Sequence, residues 1–158
     1  MSVIENPIIN SPFREPTQHH ELDKRGNPTG RILSERRRST YLTPIPQPRR
    51  QTSAQMAMFD GVTEKEEENY VINQIRQQVK LWRARNYPHV TRMTRQLLEY
   101  WTAETRERKL FFCQIEAVET AIYISEVAKR EKQDWIEEEL TRASAEANDV
   151  GRSHTQAK

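Results

Sequence analysis

Apolar side chains recur at helical spacing through the second half of the chain and are scattered through the first. Val71, Ile72, Ile75, Val79 and Trp82 form one stripe, which predicts a helix running to about Arg85. Thr63 followed by Glu66 has the capping-box pattern and sets its expected start. Asn86-Tyr-Pro-His89 breaks the period. A second helix is expected from near Thr91, presenting Met93, Leu97, Leu98 and Trp101. A third is expected over roughly Arg106–Lys132, and Asp134 with Glu137 caps a fourth through about Ala147. Residues 61–148 therefore read as mainly α, and residues 149–158 as a polar disordered tail.

Residues 1–60 lack such a period. Seven of the eight prolines lie within residues 1–48, and runs such as Tyr41-Leu-Thr-Pro-Ile-Pro-Gln-Pro48 favour extended backbone. Gly26-Asn-Pro-Thr-Gly30 is a turn signal. The expectation is a Pro-rich irregular arm with little regular structure beyond a short hairpin.

The stretch Leu110–Ile124 is the most apolar of the helices and carries one glutamine, Gln114, near its start. A helix this apolar is expected to be buried. The third helix also offers more apolar surface than the single stripes of the others cover, so a further layer such as a parallel sheet is expected against it. A buried primary amide must find a partner, because leaving it unpaired is costly. Two partners suit it. One is a neighbouring backbone or side chain; the other is an adenine edge, since an amide both donates and accepts. Cys113, in the same helix, reads as a small buried hydrophobe.

Charge is unevenly spread, although the net charge is only +2. Between Asn69 and Leu98 stand Arg76, Lys80, Arg83, Arg85, Arg92 and Arg95, with no acidic residue among them. Arg76, Lys80 and Arg83 share one helix face, with Trp82 and Tyr87 nearby. Together with Arg92 and Arg95 they could contact nucleic-acid phosphates; the alternative is a solvated helix face. Arg36-Arg-Arg38 and Arg49-Arg50 read as solubilising. The acidic groups Glu64 with Glu66–Glu68, and Glu137–Glu139, fit helix starts, where the dipole favours anions. No catalytic carboxylate pair is assigned.

Several chemistries lack their residues. His19, His20, His89 and His154 have no metal-ligand spacing, and no Gly-x-Ser-x-Gly elbow occurs. Four glycines, none in a phosphate-loop pattern, leave nothing to cradle nucleotide phosphates. A single cysteine fits a reducing compartment. With no basic-then-apolar leader and no spanning segment, a cytoplasmic protein without membrane contact is expected.

Four segments, in order, carry a resemblance: Asn6-Pro-Ile-Ile-Asn-Ser-Pro-Phe-Arg-Glu-Pro16, Pro44-Ile-Pro-Gln-Pro48, Val90-Thr-Arg-Met-Thr-Arg-Gln-Leu-Leu-Glu-Tyr-Trp101 and Leu110-Phe-Phe-Cys-Gln-Ile-Glu-Ala-Val-Glu-Thr120. Over about residues 3–148 the chain resembles the restriction subunit of type III-like restriction–modification enzymes, a branch of the DEAD/DEAH-box superfamily 2 helicases. The resemblance implies the helical leading part of a RecA-like α/β motor domain. It implies that Gln114 matches the Q-motif glutamine, which bonds the adenine of ATP. It also implies ATP with magnesium as cofactor. The implied partners are DNA, a modification (methyltransferase) subunit and the remainder of a helicase and nuclease polypeptide. Without that remainder the chain is expected to be inactive. The competing expectation is a small helical nucleic-acid-binding or adapter protein.

The chain departs from the family pattern at three places. Phe111 stands where an arginine is expected three residues before Gln114, and His20 stands where an aromatic is expected after His19. After Asn148 the family leads into a strand and the phosphate loop, whereas Asp149–Lys158 is polar and unrelated in character. The resemblance reads this as a cut chain or a frame lost near Asn148.

Overall fold

A computed structural model describes residues 6–23, 26–44 and 64–155. Among them are four α-helices and two two-stranded antiparallel sheets, so the fold is mixed rather than purely helical. The chain divides into two compact units, through Tyr70 and from Val71.

The first unit holds both sheets. Strand β1 (His19–Leu22) pairs with β2 (Pro28–Leu33), His19 opposite Leu33 and Leu22 opposite Pro28. Gly26 closes the turn at a φ of 77°, a left-handed conformation that its missing Cβ makes cheap. The Asp23 carboxylate Oδ1 accepts the Asn27 backbone N–H at 2.8 Å and fixes that turn. Ahead of β1, Asn10 acts as a staple. Its Oδ1 accepts the backbone N–H groups of Thr17 and Gln18, and its Nδ2 donates to the Gln18 carbonyl at 2.8 Å. The region expected as an irregular arm thus contains a hairpin and a side-chain-locked turn.

Strand β3 (Thr40–Pro44) pairs with β4 (Glu64–Glu68) from Thr40 opposite Glu68 to Pro44 opposite Glu64. The acidic run expected to open a helix is therefore a strand. Partners across the ribbon account for the difference. Tyr41 Oη and Thr43 Oγ1 donate to Glu67 Oε2, at 3.0 and 3.3 Å, and Arg38 pairs with Glu68 at 3.2 Å. Lys65 beside Glu67 separates the like charges, and its hydrogen bond draws the Glu67 carboxyl below its usual range. Thr63, the expected helix cap, and Arg49-Arg50 lie outside the described residues.

The second unit is helical. Helix α1 (Tyr70–Ala84) buries Ile75, Val79 and Trp82, three members of the predicted stripe. Helix α2 (Arg92–Thr102) is capped by Thr91, whose Oγ1 accepts the Thr94 N–H at 3.2 Å. It buries only Leu98 fully, while Met93 and Leu97 are exposed, so its contact stripe is narrower than the sequence suggested.

The expected third helix is divided. Helix α3 (Phe112–Ile122) passes into a π-helical turn, Tyr123–Val127, closed by the Ala128 N–H donating to the Tyr123 carbonyl at 2.8 Å. Residues four apart on an α-helix drift about 40° around its axis, and the wider π turn offsets that drift. Glu119, Tyr123 and Val127 consequently stay on one buried face. The run ends in a Schellman motif. The Gln133 N–H donates to the Ala128 carbonyl and the Lys132 N–H to the Lys129 carbonyl, with Lys132 at a φ of 57°. Lys132→Gly is expected to raise stability by about 1 kcal/mol, because glycine adopts that backbone without a Cβ penalty. Urea unfolding monitored by circular dichroism checks this; a loss of stability would count against it.

Helix α4 (Trp135–Thr155) runs past the expected end at Ala147 and through most of the region expected as a disordered tail. The core joins Ile75, Val79, Trp82, Leu98, Tyr123, Val127, Ala128 and Ile136. Helix α3 contributes little to it. Phe111, Cys113, Gln114, Ala117 and Ala121 are exposed, which corrects the expectations of a buried apolar helix and a buried cysteine. Small residues account for much of that apolar count, and they add little area to bury.

Candidate functional site

The ionic centre of the helical unit is Glu119. It is fully buried, one of the costliest positions for a carboxylate unless it is paired. Arg83, on the last turn of α1, meets it with Nε at 2.9 Å from Oε1 and Nη2 at 2.5 Å from Oε2. Tyr87 Oη donates to Oε1 at 2.6 Å. Burial, and then the hydrogen bond to Glu119, raise the Tyr87 phenol well above its ordinary range. The Arg83 guanidinium also lies 5.2 Å from the ring centre of Phe112, on the first turn of α3.

A second arrangement of the same kind sits on the other side of Trp82. Arg85 pairs with Glu131 at 2.8 Å, and Tyr123 Oη donates to Glu131 Oε2 at 3.2 Å. Burial and Glu131 push the Tyr123 phenol up to about 12. The Trp82 ring lies edge-on between the two tyrosines, 4.9 Å from Tyr87 and 5.5 Å from Tyr123.

Between α1 and α2 the backbone is strained. Asn86, Tyr87 and His89 all have positive φ, at 58°, 54° and 67°. Side chains hold the four successive carbonyls of residues 86–89. Arg95 donates to Asn86 and Tyr87 oxygens at 3.0 and 2.8 Å, Trp82 Nε1 to Pro88 at 2.8 Å, and Arg130 to His89 at 3.1 Å. Glu126 fixes the start of α2 by accepting from the Thr91 N–H and from Thr94 Oγ1.

These contacts redistribute the cations singled out in the sequence. Arg83 and Arg95 are engaged inside the unit, and Arg85 is paired on its surface. Arg76 is half-buried, while Lys80 and Arg92 are exposed. The acid-free stretch is not acid-free in space, because Glu119, Glu126 and Glu131 arrive from α3 and the turns after it. A single basic face carrying Arg76, Lys80 and Arg83 outward is therefore not formed. The missed signal was Glu119 itself: a carboxylate four residues before Tyr123 in an apolar run calls for a buried cation.

Gln114 sits on the first turn of α3 and is exposed. Its Oε1 accepts the Phe111 backbone N–H at 2.9 Å, while its own N–H donates to the Phe111 carbonyl at 3.0 Å. The amide thus forms half of a capping box and is held at the helix start. Phe111 is 49% exposed beside it. An oxygen with a second lone pair and an NH₂ donor side by side fit one adenine edge. The described residues hold no group of three or more His, Cys, Asp or Glu side chains placed to bind a metal ion. No helix among the described residues is long and apolar enough to cross a membrane.

Compared with protein-family models, curated proteins and solved structures, the chain has no significant match.

Proposed function

We propose that this chain is the leading part of an ATP-driven DNA motor of the restriction-subunit type, and that Gln114 is its adenine-reading amide. The observation that carries the proposal is the exposed Gln114 amide, anchored by Phe111 at the start of α3. The four ordered segments that resemble the restriction subunit support it from the sequence. In this reading the helical unit packs against a RecA-like sheet supplied by the remainder of the polypeptide. That remainder supplies the phosphate loop, the magnesium ligands and the nuclease. DNA and a modification subunit are the partners, and the cytoplasm is the location. When bound, ATP with magnesium supplies the energy for movement on DNA; this chain's part is to recognise the base.

The competing reading, a free-standing nucleic-acid-binding or adapter protein, is weakened by geometry. Two of its five cations, Arg83 and Arg95, are committed to internal partners. Arg76, Lys80 and Arg92 are the cations to test. Salt-dependent DNA binding lost on their joint replacement by alanine, and unaffected by Gln114→Ala, would favour that reading.

The chain alone is expected to bind nucleotides weakly, because phosphates and magnesium dominate affinity in such motors. NMR titration with millimolar AMP and CMP provides the test. AMP is expected to shift the Gln114 side-chain amide resonances more than CMP, and Gln114→Ala is expected to remove the preference. A bidentate amide–adenine pair accounts for about 1–3 kcal/mol of discrimination. Equal responses to the two bases would refute the adenine role. No ATP turnover above that of the Gln114→Ala protein is expected, and measurable turnover would overturn the assignment of hydrolysis to the remainder. Translating the DNA downstream of the Lys158 codon gives an independent check. A Gly-x-Gly-Lys-Thr-type loop there supports the motor reading; unrelated sequence in all three frames removes it.

A further inference from the structure

We infer that Arg83, Glu119 and Tyr87 are positioning residues that set where the Gln114 amide points, an inference that rests on the adenine reading above. Arg83 grips α3 at two levels. Its guanidinium bonds Glu119 in the second half of the helix and lies over the Phe112 ring in the first turn. Phe112 and Glu119 are seven residues apart, two helical turns, and so share one face. Gln114, two residues beyond Phe112, lies about 200° around the helix from it. The face held by Arg83 therefore determines the direction of the opposite, exposed face. A slip of one residue in the packing of α3 would swing Gln114 by about 100°.

Tyr87 ties this grip to the strained loop. Its hydroxyl bonds the same carboxylate, and its carbonyl is held by Arg95 of α2. With φ at 54°, Tyr87 occupies backbone space that an L-residue adopts only when its surroundings hold it there. The loop, the end of α1 and α3 are thus joined through one buried carboxylate. Glu119 touches no base in this scheme; it acts through Arg83 and Phe112 on the turn that holds Gln114.

The test uses the full chain labelled with ¹⁵N and three variants: Tyr87→Phe, Glu119→Gln and Gln114→Ala. Two quantities are read in each, the AMP-over-CMP preference and hydrogen exchange at Phe111 and in α4. Tyr87→Phe and Glu119→Gln are expected to lower the AMP preference. They are also expected to speed exchange at the Phe111 N–H about tenfold, well beyond the smaller rise in α4 that their loss of overall stability brings. An effect confined to protein fraction unfolded would leave base preference intact and raise α4 exchange equally; that result overturns the positioning role. Unchanged preference with unchanged Phe111 exchange also overturns it, while leaving the adenine reading in place. If wild type shows no AMP preference, or Gln114→Ala retains it, the adenine reading fails and the positioning role falls with it. Should Glu119→Gln not fold, Tyr87→Phe, which removes one hydroxyl, decides the question.

Discussion

Trp82→Ala is expected to leave the helical unit largely unfolded at 37 °C. Trp82 is fully buried, stands edge-on to Tyr87 and Tyr123, and donates from Nε1 to the Pro88 carbonyl at 2.8 Å. Removing a core tryptophan side chain costs about 3–5 kcal/mol. The stranded Pro88 carbonyl adds about 1–3 kcal/mol unless water reaches it. Small domains have only about 5–15 kcal/mol to lose, so the variant lies at or beyond the limit. Trp82→Phe separates the two contributions. It keeps an aromatic ring between the tyrosines and loses the Nε1 donor, for an expected cost of about 1–3 kcal/mol. Urea midpoints for wild type and both variants check this ordering. A Trp82→Ala protein within 1 kcal/mol of wild type would show that Trp82 is not the centre of the core.

The placement of Trp82 was legible in the sequence, and the reason is local. Ile75, Val79 and Trp82 recur at helical spacing, and a stripe of that kind has one packing solution. Leu98 was legible on the same grounds. Met93 and Leu97 were not, because an eleven-residue helix flanked by a Thr91 cap touches its neighbours along a narrow line. Spacing reports which residues share a face and not how much of that face is covered. The Glu64–Glu68 strand was hidden for a different reason. Its partner, Thr40–Pro44, lies some twenty residues away in sequence, and long-range pairing overrode a local pattern that suits a helix start. Gln114 was singled out on the premise of burial, which the structure reverses. What remains of that reasoning is the position of the amide at the helix start and its capacity to donate and accept at once. Glu119 was passed over because helical carboxylates usually face solvent. Its meaning appears only once Arg83, thirty-six residues earlier, is seen to reach it.

Glu119→Ala is expected to cost about 3 kcal/mol, at the lower end for a broken buried ion pair because the Arg83 side chain stays 24% exposed. It takes away the buried carboxylate that Arg83 pairs with and leaves the Tyr87 hydroxyl without its acceptor. Glu119→Gln should cost less, since the amide oxygen still accepts one bond while the charge is lost. The informative variant removes every member together: Arg83→Met, Glu119→Leu and Tyr87→Phe in one chain. Buried ionic clusters replaced by apolar groups of similar volume are often neutral or stabilising, because desolvation consumes most of the Coulombic gain. The triple variant is expected to unfold within about 1 kcal/mol of wild type, well above Glu119→Ala. Urea melts of the single, double and triple variants measure the coupling. A triple variant as unstable as Glu119→Ala would mean that the cluster is needed for folding itself. A stable triple variant would instead place its value in geometry. An apolar patch can slide, whereas a guanidinium bonded to both oxygens of one carboxylate fixes the rotation and the depth of α3 together. Such a constraint matters only if something on the outer face of that helix must point in one direction, and Gln114 is the exposed polar group held at its start.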